Sequence, residues 1–249
     1  MFQRTDELGS VNSSPPPLRE AVADPVLWDR EYRDLLVIPS SDRRSPSKSL
    51  LLFDHLIDYK PTWRVLDSGS GPGRNSIYVA RKGCTVFALD FSPVALERLR
   101  TAIASNASTR SRIHPLAGTL QRHLPFAAGT FDLTIDSYVF CHALTDCTKL
   151  HIMNEYHRTL REDGLLFSVV FSLEDEYYAR LLSSGFGSGQ TVTDPANSIS
   201  KYLYSEEELL SAFSAKFTIR YFSKFRFYDF ALGSPYLRST YVSLLQARP

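Results

Sequence analysis

Apolar positions change their spacing twice along this chain. From Asp24 to Leu36 (DPVLWDREYRDLL) Trp28, Tyr32, Leu35 and Leu36 fall at helical spacing, with Pro25 where a helix starts. A polar loop, Ser40 to Ser49, precedes an amphipathic helix over Leu50 to Ile57. Beyond residue 60 short apolar runs alternate with helical stretches. Arg64–Asp67 (RVLD) predicts a buried strand, Asn75–Lys82 a helix, and Thr85–Asp90 a second strand. Pro93–Ser105 predicts a helix with Ser92 as N-cap and proline at its first position. Ile113–Leu116 and Phe131–Asp136 read as a third and fourth strand. A helix over Lys149–Leu160 and a turn at Asp163-Gly164 follow. The apolar run Leu165–Phe171 then reads as a fifth strand buried on both faces. Strands alternating with helices predict an α/β fold with a parallel, doubly wound sheet.

The two ends of the chain depart from that rhythm. Residues 1–20, with SVNSSPPPL at Ser10–Leu18, hold too little apolar surface to offset the cost of ordering a backbone and predict a disordered tail. Ser172–Ser205, with Gly185, Gly187, Gly189 and Pro195, is too long for an ordinary connection and predicts a lid or an insertion. Ser205 and Glu208 form a capping-box pattern for a helix to Phe213. Thr218–Phe230 and Leu237–Gln246 are spaced as a hairpin. One domain over residues 21–249 accounts for the whole pattern, and no internal repeat is present.

Composition changes this picture little. The 249 residues are 43% hydrophobic and 22% charged, values of an ordinary globular chain. A net charge of +1, with both signs scattered, supplies no field for duplex DNA or tRNA and disfavours nucleic acid as a partner. The basic and aromatic mixture at Tyr221–Phe230 (YFSKFRFYDF) fits a strand with Phe225 and Phe227 facing one way better than a stacking surface. No apolar run approaches the roughly 20 residues of a membrane span, and no secretory pattern opens the chain. A cytoplasmic protein is expected. Cys84, Cys141 and Cys147 have no metal-ligand spacing, so neither a disulfide nor a metal site is expected. Nothing in the sequence signals an oligomeric state.

The segment Val65–Asp90 (VLDSGSGPGRNSIYVARKGCTVFALD) carries the chemistry. A strand runs into Gly69, Gly71 and Gly73, where backbone can turn tightly and approach a ligand, and then into a helix N-terminus with free N–H groups. Asp90, at the end of the next strand, is placed to accept from two ribose hydroxyls. Two common nucleotide fingerprints fail. The dinucleotide pattern needs glycine where Arg74 stands, and no Gly-Lys-Ser/Thr follows the loop. Asp67 at the strand end would repel a pyrophosphate and suits a cation such as an ammonium group.

VLDSGSGPGRNS resembles the first motif of class I S-adenosylmethionine (SAM)-dependent methyltransferases of the small-molecule type, of the methyltransferase domain 11 and 25 kind. The resemblance continues through ALDFSP, LPFAAGTFDLTIDSYVFCHA and RTLREDGLLFSVVF, covering Trp63 to Phe171 in matching order. GRNSIYVARKG is similar to the subgroup that includes tellurite and thiol methyltransferases. The resemblance implies a Rossmann-like, mostly parallel seven-stranded sheet with an antiparallel C-terminal hairpin strand and helices on both faces. It implies SAM as cofactor and S-adenosylhomocysteine as product. Asp67, Gly69, Ser70, Gly71, Gly73 and Asn75 would lie around the methionine part, Asp90 at the ribose and Phe91 against adenine. Thr119 and Leu120 stand where the family commonly places an acid for the adenine amino group.

By the same resemblance Asp136 and Ser137 would line the floor where sulfonium meets acceptor. Residues 21–60, with Trp28 and Tyr32, would cover the site, and residues 172–205, with Tyr178, would face the acceptor. A base is needed only if the acceptor must lose a proton, and Asp136, Tyr138 and His142 are the candidates. Asp136 has an alternative role as cap of the following helix. A small-molecule acceptor methylated at oxygen, nitrogen or sulfur, as in natural-product metabolism, is the expectation. A protein or peptide acceptor and a non-catalytic SAM-binding protein are the alternatives.

Overall fold

The computed structural model describes residues 24–35, 37–38 and 41–249. The expected tail over 1–20 and Leu36 lie outside them. Five strands are mutually parallel: β1 (Arg64–Ser68), β2 (Thr85–Asp90), β3 (Ile113–Ala117), β4 (Phe131–Ser137) and β5 (Leu160–Phe171). β9 (Phe217–Ala231) and β10 (Ser234–Ala247) form the expected hairpin, and β10 inserts antiparallel between β5 and β9. The sheet order is β3-β2-β1-β4-β5-β10-β9. This is the seven-stranded, mostly parallel arrangement that the resemblance implied.

The period of two along each strand divides the core between the two faces. Leu66 and Leu166 pack on one side with Phe131, Tyr156 and Phe213, whereas Val65, Val86, Leu133 and Ile135 pack on the other with Leu99 and Ile103. Burial on both faces explains why the Leu165–Phe171 part of β5 is a nearly unbroken apolar run. Helices α3 (Arg74–Arg81), α4 (Pro93–Ala104) and α6 (Asp146–Thr159) connect the strands. Ser92 caps α4, its Oγ accepting from the Ala95 N–H at 3.1 Å, with Pro93 at the first position.

Differences from the sequence pattern have local causes. The first helix, α1 (Pro25–Arg30), is capped by Asp24 and gives way to a π-type turn over Glu31–Leu35. There the buried Glu31 carboxylate accepts from Ile38 N–H at 2.7 Å and Ser41 Oγ at 2.8 Å. α2 spans Lys48–Phe53. α5 (Ala107–Arg112, ASTRSR) has no apolar period to betray it and rests on its Asn106 cap. The predicted turn at Asp163-Gly164 is an irregularity inside β5, where Asp163 takes φ +60°. The segment 172–205 is an ordered insertion. It holds α7 (Glu176–Ser183) and a three-stranded antiparallel sheet of β6 (Gly187–Ser188), β7 (Thr191–Thr193) and β8 (Ser200–Tyr202). At α8 (Glu206–Ser214) only half of the capping box forms. Ser205 accepts from the Glu208 N–H at 3.2 Å, while the Glu208 carboxylate takes bonds from Tyr202, Gln190 and Lys149. No helix among the described residues is long and apolar enough to cross a membrane.

Candidate active site

A cavity opens at the carboxyl ends of β1, β2 and β4, where an open parallel sheet places its ligands. It encloses about 1500 Å³, solvent at its mouth included. The glycine loop after β1 forms one wall. Ser70 N–H donates to Leu89 O at 2.9 Å and Gly73 N–H to Ser70 O at 3.0 Å, which folds the loop back onto β2. Gly71 takes φ +54°, and a Cβ there would stand 3.0 Å from the Tyr32 hydroxyl, so the bare backbone faces the cavity beneath Tyr32. Asp90 accepts from Gly71 N–H and Ser92 N–H, each at 2.8 Å and on a different oxygen. Each oxygen keeps a lone pair for a further donor. Burial pushes this carboxyl up to about 6.

Three expected site residues do not reach the cavity. Gly73 instead lets α3 start against α4, because a Cβ there would lie 2.1 Å from Leu99 Cδ1. Asp67 is buried under the loop, where Ser76 Oγ donates to it and burial pushes it up to about 7. Its influence on a bound cation is through its field rather than by contact. Asp136 is also corrected: its carboxylate is spent on the turn after β4. It accepts from Val139 N–H at 3.0 Å, Phe140 N–H at 3.1 Å and the Tyr156 hydroxyl at 2.8 Å, and lies behind the floor. The capping alternative is the one this geometry supports.

The floor itself is Ser137 and Tyr138. Ser137 Oγ is buried without a hydrogen-bond partner among the described residues and lines the cavity. Tyr138 holds φ +68°, a left-handed conformation that costs a side chain about 1–2 kcal/mol, and stacks on Phe171 with ring centroids 4.6 Å apart. Strain of this kind collects at functional sites. His142 donates from Nδ1 to Ser200 O at 2.9 Å, since a carbonyl only accepts, so the neutral ring carries its lone pair on Nε2. Trp28 meets His142 edge-on at 5.1 Å and, with Tyr32, forms the roof.

Residues 65–164 match the family model described as "Methyltransferase domain". That stretch resembles a class I SAM-dependent methyltransferase domain. The chain is 34% identical over 105 residues to an uncharacterized methyltransferase of Synechocystis, a match covering 42% of this chain and 45% of that one. It is 33% identical over 105 residues to a malonyl-[acyl-carrier protein] O-methyltransferase of Enterobacter lignolyticus, covering 41% and 37%. The matched stretch thus spans less than half the length of either curated relative. In fold it resembles the 1,6-didemethyltoxoflavin-N1-methyltransferase of Burkholderia thailandensis, with a TM-score of 0.62, 19% identity and 94% of each chain covered.

The cavity fits the cofactor of the family it resembles. Asp90 offers two free lone pairs to a ribose diol, the orphaned Ser137 hydroxyl faces the cavity, and Phe91, Thr119 and Leu120 line the same cavity. Thr119 Oγ1 accepts from Gln121 N–H at 3.2 Å, so no acid replaces the one missing after β3. Asn75 lies at the edge, its Oδ1 accepting from Ser47 N–H at 2.9 Å and tying the N-terminal segment to α3. Tyr178, on α7, also lines the cavity.

Several lining residues of the methyltransferase cavity belong to no motif. Arg74, Lys201 and Arg238 face it from α3, β8 and β10, and Arg43 does so while paired with Asp229 at 2.5 Å. Two carried a faint signal. Arg74 stands where the dinucleotide fingerprint wants glycine, and Arg238 is the lone charged residue in the strand SPYLRSTYVSLLQA. Among the described residues no cluster of three or more His, Cys, Asp or Glu is placed to hold a metal ion.

Proposed function

We propose that this chain transfers a methyl group from SAM to a small-molecule acceptor at oxygen, nitrogen or sulfur, in the cytoplasm, in the manner of natural-product tailoring. The observation that carries this is the enclosure of the far end of the cavity. Beyond Ser137 its walls are Tyr138, Phe171, Tyr178, Lys201 and Arg238, and the last three are at most 5% exposed. A folded protein surface would need an open groove, whereas this chamber takes a molecule of limited size.

Asp90, the glycine loop, Phe91 and Ser137 would hold the cofactor, which supplies an electrophilic methyl on a positively charged sulfur. The protein's own part is chiefly positioning and exclusion of water. Trp28 and Tyr32 close the roof, and the stacked pair Tyr138 and Phe171 fixes one wall of the acceptor chamber. Where the acceptor carries a proton, His142 Nε2 is the atom that receives it. Burial, helped by the positive Lys201, pushes the free imidazole down to about 3, so it acts only as a transient base until an anion nearby offsets that charge.

The test is incubation with methyl-labelled SAM against a metabolite extract and, separately, against a proteome. Label is expected in the small-molecule fraction. Label confined to protein overturns the acceptor class, and the absence of calorimetric binding of S-adenosylhomocysteine at millimolar concentration overturns the methyltransferase function itself.

A further inference from the structure

Two basic side chains lining the cavity have unmet hydrogen-bonding capacity, and burial lowers the Lys201 ammonium from its usual range. Lys201 is 3% exposed and Arg238 is 5% exposed, and both line the cavity. Among the described residues Lys201 Nζ and Arg238 Nη2 have no hydrogen-bond partner. A buried donor without an acceptor is costly, and a buried charge without one more so. Both heads lie against one ring. Lys201 Nζ and Arg238 Cζ each lie 5.0 Å from the centroid of the Tyr178 ring, so they are at most twice that distance apart. Arg238 is held in place by Asp175, which accepts from its Nε at 2.8 Å, and by the Phe171 ring 5.0 Å from Cζ. The rest of its planar fork is left for the cavity.

The surrounding acids do not satisfy these donors. Asp175 is shared with Ser239 N–H at 3.1 Å and Tyr178 N–H at 3.2 Å. Asp194, which acts on Lys201 only through its field, accepts from the Tyr177 hydroxyl and Ala196 N–H, each at 3.0 Å. Glu31 is occupied by Ile38, Ser41 and Asn197. Three carboxylates stand around two cations, so selectivity here comes from the unpaired Lys201 and Arg238 donors rather than from net charge, and a phosphate dianion is disfavoured.

We propose that Lys201 and Arg238 form a carboxylate-binding subsite, so that the acceptor is a small molecule anchored by a carboxylate at the closed end of the cavity and methylated at another atom. This rests on the function proposed above. The carboxylate serves as the anchor rather than the nucleophile, because oxygens engaged by two cations have their lone pairs committed and attack a methyl group poorly. An anion here also offsets the Lys201 charge, the smaller of the two influences that hold His142 down, burial being the larger.

The experiment measures binding of acetate, benzoate, 4-hydroxybenzoate and indole-3-acetate, each beside its neutral amide, to the full chain saturated with S-adenosylhomocysteine. Ligand-observed NMR supplies the dissociation constants. At least one carboxylate is expected to bind about 10- to 100-fold more tightly than its amide, the scale of hydrogen bonds to charged groups. Lys201→Met and Arg238→Gln should each reduce that preference while leaving S-adenosylhomocysteine affinity intact. Lys201→Met should also raise the melting temperature of the ligand-free protein, since it removes an unsatisfied buried ammonium, whereas a lysine that holds the fold together would lower it. The subsite is refuted if no carboxylate outcompetes its amide, or if the preference survives in Lys201→Met. Loss of S-adenosylhomocysteine binding in the unaltered protein would instead overturn the methyltransferase function, and the two failures are read in the same titration.

Discussion

The two ends of the cavity, cofactor end and acceptor end in the proposed function, are built by different means. The cofactor end is built from Gly69 to Phe91, a short reach past β3 and Ser137, and it offers backbone N–H groups, a hydroxyl and one carboxylate on a loop set by glycines. The acceptor end takes Trp28, His142, Tyr178, Lys201 and Arg238 from five separate places in the chain and offers side chains alone. Backbone recognition needs a particular local path, so its cost is steric and concentrated. Recognition by side chains needs only that distant elements meet, so single changes there alter specificity more than folding.

The largest expected effect breaks or confirms that contrast through two glycines of similar backbone conformation. Gly73 (φ +84°) has Leu99 Cδ1 at 2.1 Å from a would-be Cβ, and Leu99 is fully buried. Gly185 (φ +87°), in the insertion, has nothing within 4 Å. Gly73→Ala is expected to cost about 2–4 kcal/mol by urea unfolding, from backbone strain plus overpacking. Gly185→Ala should cost about 1 kcal/mol, from strain alone. Equal losses would show that the glycine loop is no more constrained than the insertion.

The next effect tests whether the cofactor end depends on one carboxylate. Asp90→Ala should weaken S-adenosylhomocysteine binding by about 1.5–3 kcal/mol in calorimetry, the scale for hydrogen bonds to a charged group. Asp136→Ala acts on the fold instead, by removing the cap of the turn at Val139 and Phe140 and leaving the Tyr156 hydroxyl without its carboxylate. An unchanged affinity in Asp90→Ala would assign the ribose to another group.

This division also governs what the sequence could disclose. The alternation of strands and helices follows from the apolar runs, the seven-stranded arrangement follows from the resemblance, and the glycine loop with Asp90 follows from spacing along one contiguous segment. Asp67 and Asp136 were placed on the right strand ends but not on the right side of the floor. Whether an acid at a strand end points to a ligand or caps the backbone beneath it is a matter of side-chain direction, which spacing does not encode. Lys201 and Arg238 left little trace because their meeting around Tyr178 depends on how the insertion folds onto β10. α7 and its small sheet have short elements with weak periods, so even their existence was hidden inside a stretch rich in glycine.

The smallest effect is in pH, and it has opposite signs for binding and for folding. Burial raises Asp67 from 3.8 to about 7, and Asp90 and Asp136 to about 6. Between those values and 3.8 the folded protein holds protons that the unfolded chain has released, so the contribution of these acids to stability is greatest below about pH 4 and is lost as pH rises toward 7. Cofactor binding runs the other way, because ribose hydroxyls donate to the ionised form of Asp90. With its carboxyl at about 6, S-adenosylhomocysteine affinity should fall about fourfold from pH 7.5 to pH 5.5. Asp67 under the loop acts in the same direction through its field. At the acceptor end the free His142 stays neutral until far lower pH, so it adds no positive charge there across the same range. Calorimetry of S-adenosylhomocysteine at the two pH values checks this, and a cofactor affinity that rises on acidification would mean that Asp90 is not the group the ribose meets.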